Sequence, residues 1–100
     1  MNPQVQLDKD ILAAFCRKWH IRELSLFGSA LRDDFGPDSD LDFLVSFEPE
    51  TRLDLFDLIE MREELAKTFG RPVDLVEKEA IRNPWRRYEI LRTREVLYAA

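Results

Sequence analysis

The segment Leu41–Phe47 limits the fold more than any other part of the chain. Apolar side chains recur in it at every second position, which is typical of a β-strand with one buried face. That face comprises Leu41, Phe43, Val45 and Phe47. Asp40 and Asp42 fall on the opposite side, together with Leu44 and Ser46. Since the apolar face has to be covered by other elements, two carboxylates are expected on the side away from the main core.

Amphipathic helices are predicted on both sides of this strand in the sequence. Their ranges are Asp8–Trp19, Leu53–Phe69 and Pro84–Leu91. Asp8 and Asn83 are suitable N-caps, and Gly70 is a natural C-terminal stop for the second helix. Within that helix Leu55 and Leu58 belong to a set of apolar residues at helical spacing. We therefore expect one face of each helix to pack on a sheet.

Two further segments have the composition of strands. They are Glu23–Phe27 and Val73–Val76, whereas Val96–Tyr98 is read either as a final strand or as an apolar tail. The order helix, strand, strand, helix, strand, helix predicts an α/β (α+β) fold with a small mixed sheet and helices packed on it. With 100 residues and no linker or repeat, we expect one domain over residues 1–100.

The charge balance restricts the partners of the protein. Its formal net charge is −5 and its pI is near 4.9, so a nucleic-acid partner is disfavoured unless a local basic patch overrides the field. Cys16 is the one cysteine, which excludes an intramolecular disulfide. We find no signal peptide and no stretch long enough to span a membrane, so a cytoplasmic location is expected.

Three aspartates have the pattern of a metal site. Asp40 and Asp42 are two residues apart at the start of a predicted strand, so their Cα atoms would lie roughly 6.7 Å apart on one face. Asp74 lies on another predicted strand whose opposite side is apolar. If the two strands are neighbours, the three carboxylates converge. Carboxylate oxygens suit Mg²⁺, and two such ions would relieve the repulsion and clamp a phosphoryl group.

A possible phosphate-binding turn precedes this strand. Gly28 and Ser29 follow the strand Glu23–Phe27 directly and would open a helical turn. Glycine allows close approach to the backbone, and the serine hydroxyl and helix-start amides can donate to phosphate oxygens. Arg32 would neutralise phosphate charge one turn later. Each piece alone is commonly only a turn or a solvated surface, and the interpretation rests on their combination.

The combined spacing resembles a known signature. Gly28 and Ser29, ten further residues, then Asp40-Leu41-Asp42 resemble the glycine-serine, ten-residue, Asp-x-Asp pattern of minimal nucleotidyltransferases in the DNA-polymerase-β-like superfamily. The segments that carry the wider similarity are Leu26–Val45, Arg71–Val76 and Glu95–Ala99. The resemblance thus extends over most of the chain.

That resemblance implies a polymerase-β-like palm fold and a set of roles. Asp40 and Asp42 would hold two Mg²⁺ ions, and Asp74 would complete the site and help to activate the acceptor hydroxyl. Gly28 and Ser29 would contact the triphosphate. The further candidate nucleotide-binding residues are Arg32 and Ser39. The donor would be a nucleoside triphosphate, most commonly ATP, and pyrophosphate would leave.

The resemblance also implies a partner. Many members are paired with a helical HEPN-type toxin in a hetero-oligomer, and act as type VII-like antitoxins by adding AMP to a toxin tyrosine, by binding the toxin, or both. A non-catalytic antitoxin that masks its partner, and nucleotidyl transfer to a small molecule or an RNA end, stay open as alternatives. Asp33 departs from the family, where glycine commonly follows the motif arginine, and an extra acid there would weaken nucleotide binding.

Three other features are weighed against structural explanations. His20 is interpreted as a helix-end residue and Cys16 as a buried thiol, rather than as a base and a nucleophile. The C-terminal helix is rich in arginine and carries Trp85 and Tyr88. It is either a surface that contacts RNA or a partner protein, or a solvated face whose aromatic residues pack on the sheet, and the sequence favours neither.

Overall fold

The elements that surround the predicted Asp-x-Asp strand form a three-layer arrangement. A computed structural model describes residues 8–28 and 40–100. In these ranges the helices are α1 (Lys9–Lys18), α2 (Leu55–Phe69) and α3 (Pro84–Thr93). The strands are β1 (Ile21–Phe27), β2 (Leu41–Phe47), β3 (Val73–Glu77) and β4 (Glu95–Ala99). A 3₁₀ turn, Lys78–Ala80, follows β3.

The strands form one mixed sheet in the order β3-β2-β1-β4. β1 pairs antiparallel with both β2 and β4, whereas β2 and β3 are parallel and are joined by α2. A parallel pair requires such a crossover, and α2 supplies it. The predicted mixed sheet with packed helices is confirmed, and the C-terminal segment is a strand rather than a tail.

The main core lies between one sheet face and the helices α1 and α2. The alternating apolar face predicted for β2 points into it, since Leu41, Phe43 and Val45 are almost fully buried. Its other fully buried members include Leu24 and Leu26 of β1, Cys16 of α1, and Met61 and Leu65 of α2. This layer removes the most apolar surface from water and therefore provides the main hydrophobic stabilisation.

The other sheet face is covered in part by α3. Ile90 of α3 packs there with Phe27 and Leu44, and Val76 and Leu91 border this smaller cluster. Trp85 and Tyr88 do not join it, being 83% and 63% exposed. The interpretation that these two aromatic residues pack the helix on the sheet is therefore wrong.

The element boundaries differ from the predicted ones for local reasons. α2 begins at Leu55 rather than Leu53, because Asp54 and Asp57 form a reciprocal capping box. β1 begins earlier than predicted, at Ile21, because His20 turns the chain with a positive φ of 57° directly after α1. Leu55, predicted on the buried side of the helix, is 68% exposed. None of the helices in residues 8–28 and 40–100 is long and apolar enough to cross a membrane.

Candidate active site

Asp42 and Asp74 lie side by side on neighbouring strands. The parallel pairing of β2 and β3 puts these two residues opposite each other, so their Cα atoms are separated by about one strand spacing, ~4.8 Å. Their neighbours Leu41, Phe43 and Val73 point into the main core. Because side chains alternate along a strand, the two carboxylates share the opposite face of the sheet. The condition on which the sequence interpretation depended, that these two strands are neighbours, is met.

The end of β1 brings backbone against the same carboxylate. Phe27 is the antiparallel partner of Asp42, and Gly28 follows it with a φ of 72°. A Cβ placed on Gly28 would lie 2.5 Å from Oδ2 of Asp42, well inside van der Waals contact. Only a residue without a side chain leaves this approach open. Gly28 is therefore part of the carboxylate site by geometry as well as by sequence position.

Asp40 lies at the same end of the sheet. It is exposed and directly precedes β2, where the Leu41 amide donates to the Pro72 carbonyl at 3.0 Å just before β3. Within residues 8–28 and 40–100, no three acidic, histidine or cysteine side chains are grouped so that they would hold a metal ion by themselves. The carboxylates that lie next to each other are therefore those of Asp42 and Asp74, and Asp40 is two residues before Asp42 in the chain.

Some candidate residues are not described by the structure. Ser29, Arg32 and Ser39, assigned to nucleotide binding from the sequence, lie outside the described residues, as does Asp33. Of the predicted phosphate-binding turn, the structure describes Gly28 at the end of β1.

An apolar wall borders the carboxylates on one side. Phe27, beside Asp42, packs with Leu44 and Ile90 and is almost fully buried. This cluster under α3 keeps water from the inner side of the site, whereas the side toward β3 is open because Asp74 is exposed. Sequence periodicity did not indicate that α3 would provide this wall, since the helix has only a short apolar stripe.

A polar network lies deeper on the same face and was missed from the sequence. Glu23 of β1 accepts ion pairs from Arg94 at 3.0 Å and Lys78 at 3.9 Å. Nearby, the buried Ser46 hydroxyl donates to Glu79, and Arg22 donates to Ser46 at 3.3 Å. These contacts tie the segment after β3 to the central strands. Alternation along β1 and β2 was the one sequence signal that placed Glu23 and Ser46 on this face.

His20 and Cys16 have the structural roles expected from the sequence. His20 is exposed near Glu48, at 3.9 Å, and adjoins the end of β1 that is remote from Asp42. Cys16 is buried in the main core, and this burial raises its pKa to about 12, while the nearby Arg17 opposes the shift. A thiol of that kind is inert as a nucleophile at neutral pH.

Comparison with known proteins gives one consistent family. The nucleotidyltransferase domain family matches residues 8–97. A Methanocaldococcus jannaschii protein, provisionally named a protein adenylyltransferase, is 34% identical over 68 residues, which are 68% of each chain. The protein adenylyltransferase MntA of Thermococcus cleftensis is 39% identical over 66 residues, 66% of this chain and 65% of the relative.

Solved structures support the same fold. A toxin-antitoxin structure with AMP-PNP superimposes with a TM-score of 0.74 at 21% identity, over 94% of this chain and 75% of the other. A structure described as a minimal nucleotidyltransferase superimposes with a TM-score of 0.69 at 29% identity, over 86% of this chain and 85% of the other. A complex of a tri-AMPylated Shewanella oneidensis HEPN toxin with an MNT antitoxin superimposes with a TM-score of 0.65 at 19% identity, over 92% of this chain and 70% of the other.

The sequence signature, the topology and the similarities agree. The resemblance to minimal nucleotidyltransferases is confirmed, and it assigns the chain a nucleotide substrate with the divalent cation usual for such enzymes. With a match that extends over nearly the whole described chain and carboxylates on adjacent parallel strands, this protein belongs to the nucleotidyltransferase domain family.

Proposed function

We propose that this protein transfers AMP from ATP to a tyrosine hydroxyl of a HEPN-type toxin and acts as its antitoxin. The observation that carries the proposal is the pairing of Asp42 with Asp74, with the Gly28 backbone packed against the Asp42 carboxylate. It places two acidic groups and a side-chain-free approach at one end of the sheet. The reaction would take place in the cytoplasm, where ATP is available and Cys16 stays reduced.

The donor atoms suit magnesium. Mg²⁺ prefers oxygen ligands and is commonly held by one or two carboxylates, with substrate phosphates and waters as its other ligands. Asp42 and Asp74 provide such a pair, and Asp40 is the third carboxylate at that end of the sheet. We infer that these residues hold two Mg²⁺ ions together with the triphosphate. When bound, the ions would neutralise the phosphate oxygens and stabilise the charge that develops during displacement.

The residues of the chain then have separate tasks. Gly28 lets the triphosphate approach the backbone, and Ser29, Arg32 and Ser39 are proposed to donate to its oxygens. The acceptor oxygen attacks the α-phosphorus, the bond to the bridging oxygen breaks, and pyrophosphate leaves. Asp74, exposed on the edge strand, accepts the proton of the acceptor hydroxyl. Phe27 and its apolar neighbours exclude water, which limits hydrolysis of ATP.

The choice of a protein acceptor is supported by the relatives. The Thermococcus cleftensis relative is named a protein adenylyltransferase, and the Shewanella oneidensis structure holds a HEPN toxin that carries three AMP groups. Among the described residues, Asp74 lies exposed on the edge strand of the sheet. A carboxylate at this edge is accessible to a tyrosine presented on another protein.

The test is transfer of AMP to a HEPN-type protein from the same source. The purified pair is incubated with ATP and Mg²⁺, and the intact mass of the HEPN protein is measured. We expect additions of AMP that disappear when Mg²⁺ is chelated and in Asp42→Asn. Asp10→Asn removes one exposed carboxylate from α1, away from the site, and should retain transfer. Stable binding without any mass addition would favour a masking antitoxin. Pyrophosphate release with an unmodified protein would indicate a small-molecule or RNA acceptor.

A further inference from the structure

A groove runs along the outer edge of β3, beside the carboxylate pair. Its volume is about 370 Å³, within the range of ligand-binding clefts. One wall comes from α2, where Leu55, Leu58 and Ile59 are apolar and Arg62 is charged. The other wall is formed by the β3 residues 74–77, so Asp74 lines the groove as well as the proposed catalytic site.

The strand in this groove has a free edge for pairing. Among the described residues, β3 pairs only with β2. Its other edge lies beside α2, which forms no strand hydrogen bonds with it. Backbone amide and carbonyl groups of an edge strand can bind another extended chain by strand addition. The apolar wall adds side-chain contacts to those hydrogen bonds, because Leu55 is 68% exposed.

The charges of the groove suit a peptide as its occupant. Among the described residues the charged lining consists of Arg62, Glu77 and Asp74, and Asp74 is shared with the proposed catalytic site. Arg62 and Glu77 balance each other, so a neutral peptide can lie between them without adding unpaired charge to the groove. The continuity of the groove with Asp74 also favours a segment that delivers its reacting group to that carboxylate.

We propose that the groove binds an extended, tyrosine-bearing segment of the acceptor protein as an added strand beside β3, with the tyrosine opposite Asp74. This inference rests on the proposed function and specifies how the acceptor is recognised. In such a pair the side chain opposite Asp74 points to the same sheet face as Asp74 and Asp42. The tyrosine oxygen then reaches the site, and its proton passes to Asp74 as the oxygen bonds to the α-phosphorus.

The same register sets the sequence preference of the acceptor. Residues directly before and after the tyrosine point to the other face, where Leu55, Leu58 and Ile59 of α2 overhang the edge. Apolar residues at these two positions would bury surface against that wall, whereas polar ones would not. The enzyme is therefore selective for a tyrosine flanked by apolar residues.

Two synthetic peptides of identical composition test the preference. In one, valine flanks the tyrosine and threonine lies one position further out; in the other, the valines and threonines are exchanged. AMP transfer is measured by mass spectrometry with ATP and Mg²⁺. We expect the valine-flanked peptide to have at least tenfold higher kcat/KM. Equal rates would overturn the inference, as would modification of a HEPN protein with neither peptide modified. No transfer to any protein or peptide would instead count against the proposed function.

A pair of neighbouring variants tests the groove itself. Leu55→Asp adds charge to the apolar wall, and Phe56→Asp adds the same charge one residue later, at a position that is 78% exposed and outside the groove. We expect Leu55→Asp to lower kcat/KM for the valine-flanked peptide about tenfold with unchanged ATP affinity, and Phe56→Asp to retain wild-type values. Equal effects of the two variants would remove the groove as the acceptor site.

Discussion

A side chain at position 28 and the Asp42 carboxylate cannot occupy their places together. The Cβ position on Gly28 lies 2.5 Å from Asp42 Oδ2, and the φ of 72° at Gly28 is one that other residues rarely adopt. Two separate constraints, one steric and one conformational, thus meet at this glycine.

The two constraints can be separated by substitution. Gly28→Ala should lose about 1–2 kcal/mol of stability from the left-handed backbone and should also displace the Asp42 carboxylate, which lowers AMP transfer at least tenfold. Gly70→Ala is the matched control, because Gly70 has a φ of 68° with open space around it. It should show a similar loss of stability with normal transfer. Thermal melts and turnover measure the two effects, and equal turnover in both variants would contradict a functional role for Gly28.

The carboxylate pair should make stability depend on the ligand. Without metal, Asp74→Asn is expected to be neutral or to stabilise by up to about 1 kcal/mol, because it relieves repulsion from Asp42. With Mg²⁺-ATP the wild type should gain roughly 2.7 kcal/mol at a concentration of 100 times Kd, and the variant much less. Melting temperatures with and without Mg²⁺-ATP provide the readout. The same ligand-induced shift in both proteins would exclude Asp74 from the metal site.

The buried thiol should make alkaline unfolding steeper. Burial raises the pKa of Cys16 from 9.0 to about 12, so above pH 9 the unfolded chain releases a proton that the folded chain keeps. The stabilisation is complete below pH 9. From pH 9 to about 12 this group lowers the free energy of unfolding by about 1.4 kcal/mol per pH unit. Urea titrations of wild type and Cys16→Ala should therefore converge as pH rises, whereas parallel curves would show that Cys16 does not titrate differently on unfolding.

The Glu23 cluster should contribute more to stability than a surface ion pair. Glu23, Arg94 and Lys78 are each only about a fifth exposed, so Glu23→Gln leaves two cations poorly compensated. We expect a loss of about 1–3 kcal/mol. The control is Glu89→Gln, which breaks the exposed pair with Arg92 at 2.9 Å and should cost at most about 0.5 kcal/mol. Denaturant unfolding compares them, and similar losses would mean that solvent screens both sites alike.

Local chemistry in the sequence was sufficient for the elements and for part of the site. Alternation along β2 correctly predicted that Leu41, Phe43 and Val45 point into the main core, although Leu44 and Ser46 on the opposite face are buried as well. The same alternation predicted that Asp42 and Asp74 lie on that opposite face. The two predicted helix N-caps are confirmed, since the side chains of Asp8 and Asn83 accept hydrogen bonds from the first amides of α1 and α3. These features depend on residues a few positions apart.

Features that depend on distant packing were not predictable in the same way. Leu55, the first residue of α2, is exposed and lines the groove beside β3, whereas helical spacing alone assigned it to the core. The exposure of Trp85 and Tyr88 follows from α3 packing only through Ile90 and its neighbours. The parallel register that aligns Asp42 with Asp74 also required the crossover through α2 to be known.

The position of β3 at the sheet edge has a consequence for the energetics of binding. Asp42 belongs to β2, which is paired on both sides, whereas Asp74 belongs to a five-residue strand that pairs with one strand in the described part of the chain. Edge segments open locally at a smaller free-energy cost than central strands, so separation of the two carboxylates does not require global unfolding. A ligand that needs both carboxylates binds only the state in which β3 is paired with β2. Hydrogen exchange at the amides of β3 would therefore slow on binding, and part of the intrinsic affinity would be used to close the strand.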